Sequence, residues 1–350
     1  MNKRLWIAFA ILFPFIGSAM DEEKAIDNFF KEFSGNSPGA VVMVIKEGQP
    51  VLTKAYGLAN LENQTACSTN TNFRLASVTK QFTAMAILIL AEKGKLALDD
   101  RLARFFPEFP DYGIEITVRH LLTHTSGLLD YEDLIPTGTT IPVSDRDVLY
   151  LLRQQDHLEF PPGQKFKYSN TGYALLALIV EAASGQKFTT FLRENIFNPL
   201  GMTNSVAYEP GISFVPERAF GYTKSEAGFE FSDQSLTSAV LGDGGIYSSV
   251  RDLSKWDQAL YTKKLVSRKI LQQAFTRHAG TSDLEGSGYG FGWYVGRHRG
   301  TDKIWHGGST CGFSTRIERF PEKKLSVIIL TNRRNAKISD LPQKIADLYW

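Results

Sequence analysis

"RLASVTKQFTAM", residues 74–85, sets Ser77 three places ahead of Lys80, where the chain turns apolar with a helical rhythm. One helical turn brings two such side chains onto a common face, about 5–6 Å apart at Cβ. At a helix start the free N–H groups and the positive end of the dipole stabilise developing negative charge. A serine hydroxyl is a poor nucleophile until a neighbour takes its proton, and a lysine can do so when its surroundings lower its pKa. The same letters also fit a helix cap followed by a solvated lysine. A second S-x-x-K, Ser184 with Lys187, spans Gly185 at a helix end and need not share a face. The pair therefore has to be weighed with the rest of the chain.

Upstream of it, "EKAIDNFFKEF" (23–33) has helical spacing, and "GAVVMVIKEGQPVLTKAYGLAN" (39–60) reads as two strands around a tight turn. Downstream, the pattern is mostly helical to about residue 260, with "VTKQFTAMAILILAEKGK" and "TGYALLALIVEAASG" closing at Gly94 and Gly185. Strands return in "GYGFGWYV", "TDKIWHGG", "FSTRIERFP" and "KLSVIILTNR", and "AKISDLPQKIADLYW" closes the chain as a helix. This order predicts an α/β fold: a sheet domain from residues 20–76 together with about 285–350, and a mainly helical domain, 77–284, inserted between them. A site is then expected in the cleft between the two.

Two further stretches carry chemistry. In "PPGQKFKYSNTGYALL", Tyr168 and Asn170 stand just ahead of a helix. A phenol can relay a proton when a cation holds its pKa down, and an amide offers a donor and an acceptor to a substrate amide. In "IWHGGSTCGFSTRI", His306 precedes Gly307 and Gly308 in a strand. Glycines there mean close approach to the backbone, with the N–H of Ser309 free to point into the cleft. His120 and His124 are spaced as on a zinc-binding helix, but Leu121 stands where that motif needs a glutamate, and no metal or other cofactor is expected. Asp243, in "GDGG", reads as a turn former. Tyr222, Tyr289 and Phe313 read as packing residues that could also line the cleft.

At the start, Lys3 and Arg4 precede an apolar run from Leu5 to Ile16 and the small residues Gly17, Ser18 and Ala19. Residues 1–19 have the layout of a cleaved signal peptide, so a periplasmic or secreted protein without a stable membrane anchor is expected. Losing Lys3 and Arg4 brings the 39 basic residues level with the 37 acidic ones. A neutral mature chain has no electrostatic footprint for nucleic acid. Its expected partner is a small or polymeric substrate outside the cytoplasm, and a monomer is expected. Cys67 and Cys311 could pair outside the cytoplasm, which their spacing leaves open.

The order Ser-x-x-Lys, Tyr-x-Asn, His-Gly-Gly resembles the penicillin-recognising serine hydrolases. More closely it is similar to the branch holding class C β-lactamases, D-alanyl-D-alanine carboxypeptidases, D-aminopeptidases and related esterases. "LLTHTSGLLDY", "FNPLGMTNS", "GDGGIYSSVRDLSKW" and "YGFGWYV" match in family order. The resemblance implies a β-lactamase/transpeptidase-like fold, an antiparallel sheet flanked by N- and C-terminal helices. It implies catalytic roles for Ser77, Lys80 and Tyr168, with Ser77 acylated and the other two sharing the proton transfers. Asn170 would contact substrate and Lys80, and the N–H groups of Ser77 and Ser309 would form the oxyanion hole. Substrate would lie along His306, Gly307, Gly308 and Ser309. His306 replaces a lysine that attracts a substrate carboxylate in many members, so its own charge is the expected anchor, weakened near neutral pH. The implied function is an exported serine hydrolase acting on a small molecule or a peptidoglycan peptide, a carboxypeptidase or β-lactamase-like enzyme, with an esterase, a D-aminopeptidase or a penicillin-binding sensor as alternatives.

Overall fold

Nearly every residue of "AVVMVIK" is buried because the strand it forms, β1 (Ala40–Lys46), is covered on both faces. Val41, Met43 and Ile45 enter the main core, whereas Ala40, Val42 and Val44 enter a smaller one on the opposite face. This computed structural model describes residues 15–281 and 286–350, so residues 1–14 of the expected leader lie outside the described residues. Glu47 and Gly48 turn the chain with both φ values positive, 51° and 76°, as a two-residue hairpin requires. The chain then runs back as β2 (Gln49–Tyr56).

The remaining strands come from the other end of the chain: β3 (Ala279–Gly280), β4 (Gly288–Tyr289), β5 (Tyr294–His298), β6 (Thr301–Thr310), β7 (Phe313–Phe320) and β8 (Leu325–Thr331). They form one eight-stranded antiparallel sheet in the order β3-β4-β5-β6-β7-β8-β1-β2. Val42 pairs with Ile329 at the join between the two ends of the chain. Two terminal helices, α1 (Phe15–Phe29) and α6 (Leu341–Leu348), cover the smaller core with Ile26, Ile345 and Ala346. "GYGFGWYV" is not one strand but two, β4 and β5, because Gly292 turns at φ 77°. A Cβ at Gly292 would lie 2.6 Å from the Lys80 carbonyl oxygen, so this turn packs directly on the start of the next helix described.

That helix is α2 (Lys80–Glu92), and every residue of it from Lys80 to Leu90 is buried. A helix surrounded on all sides must pair its polar groups internally. Gln81 accepts from Trp256 Nε1 at 3.0 Å and Thr83 donates to the Gly242 carbonyl at 2.7 Å. Against α2 pack α4 (Asn170–Ser184), which α3 (Asp145–Arg153) flanks in turn, and α5 (Val250–Ala259), with Phe82 against Trp256 at 4.3 Å between ring centroids. Gly185, at φ 74°, ends α4 by donating to the Glu181 carbonyl at 2.8 Å. The middle of the chain is less purely helical than its pattern suggests. Phe73–Arg74, Ile246–Ser248 and Val206–Ala207 form a small three-stranded sheet that holds the approach to Ser77.

Candidate active site

Ser77 lies in a 3-10 turn, Ala76–Thr79, that feeds α2. Ala76 precedes it at φ 49°, a left-handed conformation that costs a non-glycine residue about 1 kcal/mol or more and persists only where packing imposes it. The packing comes from the sheet. A Cβ at Gly308 would lie 2.2 Å from the Leu75 carbonyl oxygen, so only glycine lets β6 press this close. Thr315, on β7, donates to that same carbonyl at 2.7 Å. Beyond Trp305, β6 no longer pairs with β5, which leaves the edge from His306 to Thr310 open toward the cleft.

Lys80 is fully buried, and its three N–H groups have three acceptors: Ser77 Oγ at 3.1 Å, Asn170 Oδ1 at 2.8 Å and the Asp243 carbonyl at 3.0 Å. Burial pulls its pKa down to about 8 against the opposing effect of the Asp243, Asp130 and Glu132 carboxylates. When Lys80 is neutral, its lone pair can accept the Ser77 hydroxyl hydrogen along the same contact. Burial raises Asp243 as well, to about 6, although Lys80 and the Tyr131 hydroxyl at 3.1 Å favour its ionised form. Asp243 is thus part of the lysine's surroundings and more than a turn former.

Tyr168 places a buried hydroxyl beside this pair, with Lys80 Nζ 5.0 Å from the ring centroid. The sequence led us to expect a phenol whose pKa is held down by a cation. The opposite holds: burial raises it well above the ordinary value, and the nearby carboxylates add to the rise, although Ser77 acts in the lowering direction. Tyr168 is therefore a protonated donor and Lys80 is the group able to act as base near neutral pH.

His306 also departs from expectation. It is buried, and burial followed by the nearby Lys80 charge lowers its pKa to about 3. Its Nδ1 meets the Gly307 carbonyl at 2.7 Å, which can only accept, so the proton sits on Nδ1. Nε2 then accepts from the Tyr289 hydroxyl at 2.9 Å. A neutral imidazole cannot be the cation that anchors a carboxylate. Ser77, Tyr168, Asn170, His306, Gly307, Gly308 and Ser309 nonetheless line one cleft of about 760 Å³, with Arg316 and Lys337 on its wall.

With this geometry in place, the comparison with known proteins is direct. The family model described as Beta-lactamase matches residues 26–348. The chain belongs to that family. Within the β-lactamase family it is 34% identical over 309 residues to penicillin-binding protein 4* of Bacillus subtilis, covering 83% of this chain and 67% of the relative. It is 31% identical to the putative penicillin-binding protein PbpX of the same organism, over 94% of this chain and 79% of that one. The octameric penicillin-binding protein homologue from Pyrococcus abyssi superposes with a TM-score of 0.83 at 28% identity, covering 95% of this chain and 77% of that one. The chain thus spans about two thirds to four fifths of the length of these relatives. Its fold is the β-lactamase/transpeptidase-like one, in a family of serine hydrolases.

Some residues of this β-lactamase-family site were passed over in the sequence. In the sequence His124 stands out only for its spacing from His120, yet its ring lies 4.3 Å from that of Tyr168. It accepts from Ser169 N–H at Nδ1 (3.2 Å) and from Lys167 N–H at its carbonyl (2.9 Å), gripping the backbone on both sides of Tyr168. His120 does something separate, accepting from Thr117 N–H in a helix capping box. Glu132 accepts from Asn170 Nδ2 at 2.9 Å and so fixes which way that amide faces. Tyr289 touches His306, whereas Phe313 belongs to the main core and Tyr222 donates to the Glu62 carboxylate. Cys67 and Cys311 are free thiols.

Proposed function

We propose that the protein is an exported serine hydrolase that forms an acyl-enzyme at Ser77 on an amide or ester, acting as a D-Ala-D-Ala carboxypeptidase or β-lactamase-like enzyme. The observation that carries this reading is the 3.1 Å contact between Ser77 Oγ and a fully buried Lys80 whose pKa burial lowers. In the reaction Lys80 takes the hydroxyl proton as Ser77 Oγ bonds to the substrate carbonyl carbon. The carbonyl oxygen, now negative, faces the N–H groups of Ser77 and Ser309. Collapse of the tetrahedral intermediate breaks the bond to the leaving group, which takes the Tyr168 hydroxyl proton. Lys80 restores that proton to Tyr168 and is neutral again for the water that releases the acid. Export rests on the residues 1–19 pattern alone, and the carboxypeptidase and β-lactamase readings draw on the named penicillin-binding relatives.

The test is a panel of a penicillin, a D-alanyl-D-alanine peptide, a D-amino acid amide and a simple ester, assayed with Ser77→Ala as the blank. The reading expects turnover of at least one member of the panel, lost by a factor of roughly a thousand or more in the variant. Equal rates in the two proteins would overturn it. Ranking the substrates decides between peptidase, β-lactamase, amidase and esterase.

A further inference from the structure

The turn that supplies the third acceptor of Lys80 is braced by an acid that the mechanism does not use. Asp145 opens α3, yet that helix is capped without it: Ser144 Oγ accepts from Asp147 N–H, and the Asp147 carboxylate accepts from Ser144 N–H in return. The buried Asp145 carboxylate instead reaches the single helical turn Leu241–Gly244, where Oδ2 accepts from Leu241 N–H at 3.0 Å and Oδ1 from Gly242 N–H at 3.1 Å. Burial raises its pKa to about 7, and the two N–H donors oppose the rise. At the pH where Lys80 becomes a base the acid is therefore ionised, with both oxygens accepting. The same turn meets α2 and α4. Its Gly242 carbonyl accepts from Thr83 Oγ1 at 2.7 Å and its Asp243 carbonyl from Lys80 at 3.0 Å, while a Cβ at Gly242 would lie 2.1 Å from the Tyr173 carbonyl oxygen. Gly242 is thus tied at its N–H by α3 and at its carbonyl by α2, and the next carbonyl along is the one Lys80 uses.

We propose that Asp145 is a positioning residue for the base: through the Leu241–Gly244 turn it holds the Asp243 carbonyl against Lys80 and keeps the amine directed at Ser77. This rests on the reading of Lys80 as the base of a serine hydrolase. A carbonyl that accepts from an ammonium N–H favours the charged form over the neutral amine. Slackening the turn therefore lowers the pKa of Lys80 and lets its lone pair swing away from the Ser77 hydroxyl. The other titratable groups around Lys80, namely the Asp130, Glu132 and Asp243 carboxylates, the Tyr168 and Tyr173 phenols and the His124 and His306 rings, are left in place by a change at Asp145.

The test follows kcat/KM for a neutral ester against pH, beside an NMR titration of Lys80 in protein made with isotope-labelled lysine, the signal being assigned by its loss in Lys80→Arg. Asp145→Asn keeps the shape of the side chain but turns an amide donor toward one of the two N–H groups, and Asp145→Ser is too short to reach both. Neither variant buries a new charge. Both should move the Lys80 midpoint down by about one unit, the scale of a hydrogen bond to a charged group, and lower the plateau of kcat/KM roughly tenfold. Thr83→Val, which frees the same turn from α2, should move the midpoint the same way. A midpoint that stays or rises in both Asp145 variants, whatever their melting temperatures, would overturn the proposal, because a brace that matters only to folding leaves Lys80 as it was. Ester turnover that survives Ser77→Ala would instead overturn the serine hydrolase reading. The NMR midpoint does not depend on turnover, so the two failures are distinguishable.

Discussion

In the proposed mechanism Lys80 is the base, and its environment sets a pH dependence with a definite sign. Burial favours the uncharged amine, so the base form grows as pH rises through about 8. For a neutral ester, kcat/KM should climb toward that value and level off above it. Asp243 raises the lysine pKa, so Asp243→Asn should move the limb to lower pH; a limb that stays put or moves up would contradict this account. His306 gives a second expectation. Lys80, Arg316, Tyr168, Tyr289 and Tyr294 face it, and its charged form is confined to strongly acid pH. The preference for a carboxylate-bearing substrate over its neutral analogue should therefore be flat over roughly pH 5.5–8, where an ordinary histidine titrates. A preference that decays across that range would return the anchoring charge to His306. The sequence located Ser77, Lys80, Tyr168 and His306, but a pKa depends on what three-dimensional packing puts around a group. That is why the phenol and the imidazole both came out opposite to expectation.

Among elements, the loop after the short helix Val118–Leu122 has a task that its sequence pattern hides. Backbone N–H groups of Glu159, Gly163 and Lys167 donate to the carbonyls of Gly127, Thr125 and His124 at 2.8, 2.8 and 2.9 Å, so the two segments run together up to Tyr168. His124 holds this register from a left-handed backbone, φ 56°. His124→Ala should let Tyr168 drift and lower kcat by roughly ten- to a hundredfold, the cost of a displacement near 1 Å, with a smaller change in KM. Asparagine tolerates the backbone and offers an acceptor to Ser169 N–H, so His124→Asn should recover most of the loss. Alanine and asparagine variants with equal kcat would show that His124 only fills space. The register of Arg316 is legible in the sequence. A two-residue turn at Cys311–Gly312 places Thr310 opposite Phe313 and hence Gly307 opposite Arg316, which is the register observed. By contrast, nothing local marks Gly292 as the contact of a turn with α2, because that approach exists only after the sheet and helices have met.

For the molecule as a whole, the two ends of the chain must find each other before the site exists. The unbroken apolar runs of β1 and β8, buried on both faces, suit the centre of a covered sheet, and strand-rich stretches at both ends of the chain made the α/β class legible. The ties between sheet and helices were not. One of them is the pair Arg319–Asp257, both about 1% exposed, joining β7 to α5 at 2.6 Å with Ser326 also donating to Asp257 at 2.7 Å. Asp257→Ala leaves a buried guanidinium uncompensated and should cost about 3–5 kcal/mol in a urea melt; a loss of about 1 kcal/mol or less would mean that water reaches Arg319. The central claim, that the folded chain acylates itself at Ser77, is tested most directly by the intact mass of wild type and Ser77→Ala after incubation with a penicillin. The account predicts a penicillin-sized increase on wild type alone, mapping to the peptide that holds Ser77. An adduct of equal yield on the alanine variant, or one that maps to another residue, would contradict it.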